Sequence, residues 1–199
     1  MSNKLKVKKD QPVVPPAERV GKRLWHYTTT KRLAKIIETR KIKGTSIGSD
    51  EKELPAVWLS SNPDFEQAAR NEIRDKDSVP AAPEATREEL FKAGHPPVRI
   101  EINRTRVRAC DWESYKKLSG ISEETAAAIE QSGIEKGAAP SEWYASFDPI
   151  PLAGGCLFPI EIWNGRQWAD IETARPGAQA KKKPTSAPAP RKLNRSEKI

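Results

Sequence analysis

Apolar and polar positions alternate over Leu24-Trp25-His26-Tyr27-Thr28-Thr29. In an extended chain this puts Leu24, His26 and Thr28 on one face and Trp25, Tyr27 and Thr29 on the other. The period then changes: Leu33, Ile36, Ile37 and Arg40 recur at helical spacing, which predicts a helix over 31–42 ended by Gly44. Residues 44–54 are polar and Gly/Ser-rich, as in a surface loop. Ala56-Val57-Trp58-Leu59-Ser60-Ser61 predicts a second strand, with Val57 and Leu59 facing away from Trp58 and Ser60. A helix over 63–73 is expected next: Ser61 or Asn62 suits its cap, Pro63 its first position, and Asp64 and Glu66 its positive end.

The second half continues in the same manner. Residues 75–97 form a charged, Ala/Pro-rich excursion, expected to be mobile or inserted, with a short helix around Thr86–Ala93. Pro97-Val98-Arg99-Ile100-Glu101-Ile102 alternates as a strand with one buried face, and Val107–Cys110 reads as a shorter one leading into Asp111-Trp112-Glu113-Ser114-Tyr115. Ser122, followed by Glu123 and Glu124, starts a helix to Gln131 that Gly133 ends. Phe158–Trp163 predicts a strand, Asn164-Gly165 a hairpin turn, and Gln167–Ile171 the return strand. Strands interleaved with helices predict one α+β domain over about 22–172, built as two small twisted sheets with peripheral helices.

Charge changes this picture only at the ends. The net charge is +8 over 199 residues, yet residues 24–174 hold twenty basic and twenty-four acidic side chains. The excess sits in 1–23, with seven Lys/Arg against two acids, and in 175–199, with eight against one. Segments 1–21 and 173–199 are therefore expected to be disordered basic tails, suited to non-specific contact with nucleic acid. No run of eighteen apolar residues or signal-peptide core is present, and Cys110 and Cys156 lack metal-ligand spacing. A cytoplasmic protein with reduced thiols and no metal is the expectation.

Three stretches, in order, resemble the ADP-ribosyltransferase fold in its diphtheria-toxin and poly-ADP-ribose-polymerase branch. They are Leu24-Trp25-His26-Tyr27-Thr28, Ala56-Val57-Trp58-Leu59-Ser60, and Glu142-Trp143-Tyr144-Ala145-Ser146-Phe147-Asp148-Pro149-Ile150. The resemblance implies a split β-sheet core and an NAD-dependent mono-ADP-ribosyltransferase, of the kind found as bacterial or phage toxins and effectors, acting on a protein or nucleic acid. It makes Glu142 the catalytic carboxylate, because cleaving the nicotinamide–ribose bond develops an oxocarbenium ion that a carboxylate stabilises. It gives NAD contacts to His26, Tyr27, Thr28, Trp58 and Ser60: His26 and Thr28 on a ribose, Trp58 stacked on the cationic nicotinamide. The sequence departs from the family at Tyr27, where Gly is usual, and at Trp58, where Tyr is usual. Two alternatives stay open. One is RNA 2′-phosphotransferase chemistry, for which Arg99, Arg104, Arg106 and Arg108 are the arginines at hand. The other is a non-enzymatic nucleic-acid-associated module with a degenerate pocket.

Overall fold

The structure, a computed structural model, describes residues 23–48, 50–69, 86–153 and 157–172. Both expected tails, Cys156 and the middle of the charged excursion lie outside these residues. The described residues form an α+β fold. A seven-stranded, wholly antiparallel sheet carries the core, and a two-stranded ribbon and four α-helices pack around it.

The alternation seen at the start of the chain gives β1 (Leu24–Thr29), which is buried along its whole length. Thr29 caps α1 (Thr30–Thr39) by accepting from the Arg32 N–H. This helix stops short of the predicted 42. Arg40 takes a left-handed conformation (φ 54°), and its N–H bonds back to the Ile36 and Ile37 carbonyls. Lys41–Ile42 then leave as β2, because Ile42 is buried in the core opposite Ile150 of the later strand β7 (Ile150–Pro151). Burying such a side chain contributes about 1.5–3 kcal/mol, more than one further helical turn of modest propensity.

β3 (Val57–Ser60) follows the loop, α2 (Arg87–Lys92) is closed by a Thr86–Glu89 capping box, and β4 is Pro97–Ile102. β5 (Cys110–Asp111) runs into α3 (Trp112–Leu118), a helix the pattern did not announce, capped by the Asp111 carboxylate on the Ser114 N–H. α4 (Glu123–Glu135) starts at Ser122 as expected but runs through Gly133. The glycine is there for proximity: a Cβ at 133 would lie 2.6 Å from the Trp143 ring. The helix ends at Gly137, where φ is +80°. β6 (Trp143–Ser146), β8 (Leu157–Trp163) and β9 (Trp168–Asp170) complete the sheet, with the Asn164-Gly165 turn joining the last two.

The sheet order is β5-β6-β3-β1-β4-β8-β9. On one face Leu24, Val57, Leu59, Val98, Ile100 and Ile102 pack against Leu33 and Ile36 of α1 and against the ribbon. The other face carries two clusters, Trp112, Tyr115, Ala126 and Trp143 under α3 and α4, and Trp25, Tyr27, Phe65 and Leu90 under α2. Cys110 is a buried free thiol whose pKa burial pushes up to about 11. No helix among the described residues is long and apolar enough to cross a membrane.

The helix expected over 63–73 is absent from its described part. Residues 61–66 are bends and coil, and only Gln67–Ala69 turn as a 3-10 helix. The carbonyls that a helix would use are taken by side chains from elsewhere: Tyr27 Oη donates to Asn62, an Arg99 guanidinium N–H to Pro63, and Trp168 Nε1 to Asp64. Asn62 Oδ1 and Glu66 Oε1 bond the Asp64 and Ala68 N–H groups locally.

Candidate functional site

β1 pairs with β4 at six positions but with β3 at one, Trp25 opposite Ser60. Beyond that point the seam opens into a cleft of about 950 Å³, at the upper end of the range for small-molecule sites. His26, Tyr27 and Thr28 face Trp58, Leu59 and Ser60 across it, and α1 with β2 makes one wall. The 44–48 loop and α4 make the other.

That loop is firmly held. The buried Glu53 carboxylate accepts from the Ile47 and Gly48 N–H groups (2.9 and 2.7 Å) and from Tyr115 Oη (2.7 Å). Asp50 accepts from the Ser122 N–H at the start of α4.

His26 stands where a backbone donor would otherwise continue the ladder: its Nδ1 lies 2.9 Å from the Trp58 carbonyl. A carbonyl only accepts, so Nδ1 carries the proton and Nε2 is left as an acceptor. Burial holds the ring's pKa below its ordinary value, the bond to Trp58 opposes that, and the Arg32 charge adds to it. The imidazole is therefore neutral near pH 7. Neither Nε2 nor the Thr28 hydroxyl has a protein partner among the described residues. Trp58 is half-buried and fixed: its Nε1 donates to the Thr45 carbonyl (3.2 Å), and Tyr115 meets its ring edge-on at 4.5 Å between centroids. The Tyr27 ring points to the opposite face, against Phe65 (5.7 Å) and Trp168 (6.1 Å). Burial raises its pKa well above the usual phenol range and keeps it a donor.

Two carboxylates mark the closed end of the seam. Glu142 precedes β6, beside Ser61, whose N–H donates to its carbonyl (2.9 Å). Its own carboxylate accepts from Asn62 Nδ2 at 3.1 Å. Glu142 is half-buried and does not itself line the cleft. Because β3 separates β1 from β6, strand spacing puts it about 10 Å to the side of β1.

The second carboxylate, Glu66, does line the cleft. It is buried and accepts from Ser60 Oγ (2.6 Å), the Ala68 N–H (3.0 Å) and Trp143 Nε1 (3.1 Å). Burial raises its pKa, those donors lower it, and the nearby Glu142 charge raises it again. Ser60, expected on the ligand, thus gives its proton to Glu66 and accepts the Asn62 N–H (3.1 Å). Glu66, Ser60, Asn62 and Glu142 form one connected chain. Sequence reasoning missed Glu66 and Asn62, since an Asn and an acid flanking a proline carry the signal of a helix start.

The cleft's cations are Arg32 and Lys35 from one flank of α1, then Lys41 and Lys43 on either side of buried Ile42; all four are exposed. The arginines considered for a 2′-phosphate lie elsewhere. Arg99 pairs with Glu161 (2.7 Å), Arg104 lies over the Tyr144 ring, and Arg108 pairs with Asp148 (2.6 Å) beside Arg106. Among the described residues no group of three or more His, Cys, Asp or Glu could hold a metal ion. No family model, curated protein or solved structure matches the chain.

Proposed function

We propose that the cleft binds NAD and that the protein is a mono-ADP-ribosyltransferase, passing ADP-ribose to a macromolecular acceptor. The observation that carries this reading is the parted seam between β1 and β3, with a neutral His26 acceptor and a free Thr28 hydroxyl inside it. Those two groups suit ribose hydroxyls. Arg32, whose charge is felt at His26, faces the pyrophosphate, and the fixed Trp58 ring offers a π face to the cationic nicotinamide. The ligand's nicotinamide ribose then lies toward Ser60 and Glu142. There the C1′–N bond breaks, its electron pair leaving with neutral nicotinamide, and the acceptor's nucleophile forms the new bond to C1′. The Glu142 carboxylate, oriented by Asn62, stabilises the developing cation and takes the acceptor's proton. No arginine cluster lines the cleft, which weighs against 2′-phosphotransferase chemistry.

Titrating NAD while following tryptophan fluorescence tests binding. Glu142→Gln should leave that titration nearly unchanged and slow nicotinamide release about a hundredfold, or about 3 kcal/mol. Glu113, which pairs with Lys116 away from the cleft, supplies the control: equal rates for Glu142→Gln and Glu113→Gln would remove Glu142 from the mechanism.

A further inference from the structure

Charge is divided very unevenly over the described residues. Residues 31–43, which cover α1 and β2, carry six basic side chains against Glu38 alone. All the other described residues together carry twelve basic side chains against nineteen acidic ones. Basic side chains are thus concentrated along 31–43, and this ridge is a wall of the cleft; the other basic run, Arg104, Arg106 and Arg108, lies away from it. It spans a helix and the strand that follows it. Arg32 and Lys35 lie on one flank of the helix, and Lys41 and Lys43 share one side of the strand because Ile42 between them points into the core.

A dinucleotide does not account for this ridge. Its pyrophosphate brings two negative charges, partly offset by the nicotinamide cation, and Arg32 is the cation placed nearest His26. Lys35, Lys41 and Lys43 also line the cleft but are not felt at His26, and Lys35 pairs with the solvent-facing Glu38 at 2.8 Å. Among the described residues neither Lys41 nor Lys43 has a hydrogen-bonded carboxylate partner. Three solvent-exposed cations along one wall of a cleft match a partner of repeated negative charge. The chain segments on both sides of the described residues have the same sign: six basic residues against two acidic ones in 1–22, and eight against one in 173–199. An acidic protein surface offers patches; a phosphate backbone offers a continuous line of charge that suits basic residues of ridge and flanking sequence alike.

We propose that Lys35, Lys41 and Lys43 form a track for the phosphate backbone of a single-stranded nucleic acid, laid along the cleft rim so that a nucleotide reaches the Glu142 end. As the class of the acceptor this rests on the transferase reading; as a binding surface it does not.

The test uses the full chain, a fluorescent oligothymidylate, and affinity measured as a function of salt. Lys35→Gln/Lys41→Gln/Lys43→Gln is compared with Lys52→Gln/Lys92→Gln/Lys117→Gln, which removes the same charge from exposed positions outside the cleft. The ridge triple should bind about tenfold more weakly, and its slope of log affinity against log salt should be shallower by about 2, at about 0.7 per lost phosphate contact. The control triple should keep the wild-type slope. Equal slopes for the two triples overturn the track, as does displacement of the oligonucleotide by poly-glutamate at matched charge, which would identify an acidic protein as the partner. If wild type binds no NAD yet the ridge triple still flattens the salt slope, the track stands and the transferase reading falls.

Discussion

The two edges of β1 are built from the same six residues and do opposite things. Toward β4 the ladder is complete, and Val98, Ile100 and Ile102 are buried beneath α1. Toward β3 it is cut to one pair, and the freed width becomes the cleft. Along the first edge backbone groups pair strand to strand; along the second, the Trp58 carbonyl is taken by a side chain, His26 Nδ1. The cleft is thus made by interrupting a ladder rather than by adding a loop. It stays in register because the same strand is clamped along its other edge.

Substitution on either edge should separate these roles. Ile100→Ala, on the zipped edge, empties a fully buried site and should cost about 2–5 kcal/mol, read as a lower denaturation midpoint. Trp58→Ala, on the parted edge, should weaken NAD about tenfold and lower stability less, while Trp58→Phe keeps a flat ring and most of the affinity. Comparable stability losses for Ile100→Ala and Trp58→Ala, with NAD affinity untouched, would erase the distinction between the edges.

The smallest effect is the pH dependence of His26. Its pKa is lowered in the fold, so the unfolded chain binds more protons between the folded value and the ordinary 6.5. Its contribution to stability is therefore complete above pH 6.5 and falls as pH drops through that window. Glu66, raised above 4.5 by burial, works with the other sign: its contribution is largest at low pH and declines as pH rises through the folded value. Melting temperatures of wild type and His26→Gln measured from neutral to mildly acidic pH should converge as pH falls. A constant gap across the range would mean that the ring is not held neutral by the fold.

Much of this was legible in the chain, wherever a local rule and the tertiary fold agree. The period-2 alternation assigned the faces of β1 and β3, Ser122 is the cap its side chain suggested, the short helix expected around Thr86–Ala93 is present, and Asn164-Gly165 turns the last hairpin. The misses share one cause, distant side chains overriding local signals. Gly133 reads as a helix end but is a seat for Trp143, and 63–69 reads as a helix but its carbonyls are claimed by three strands. The candidate site was legible in part: His26, Thr28, Trp58 and Ser60 do meet at the cleft, with Glu142 just outside its lining. The cationic ridge is not legible in the sequence because it is split between a helix and a strand that part at Thr39, where the apolar spacing predicts helix to 42.

The captured carbonyls of Asn62, Pro63 and Asp64 also set an order in time. Their donors, Tyr27, Arg99 and Trp168, belong to β1, β4 and β9, so the segment cannot settle until those strands, with β8 between β4 and β9, have come together. Asn62 and Glu66 sit in that segment, so the carboxylate end of the cleft should close last on folding and come loose first. Trp168→Phe, which deletes one donor, should hasten unfolding and leave the refolding rate nearly unchanged. Slower refolding in stopped-flow measurements would place the segment in the folding nucleus instead. The cleft is finished only after the sheet that frames it.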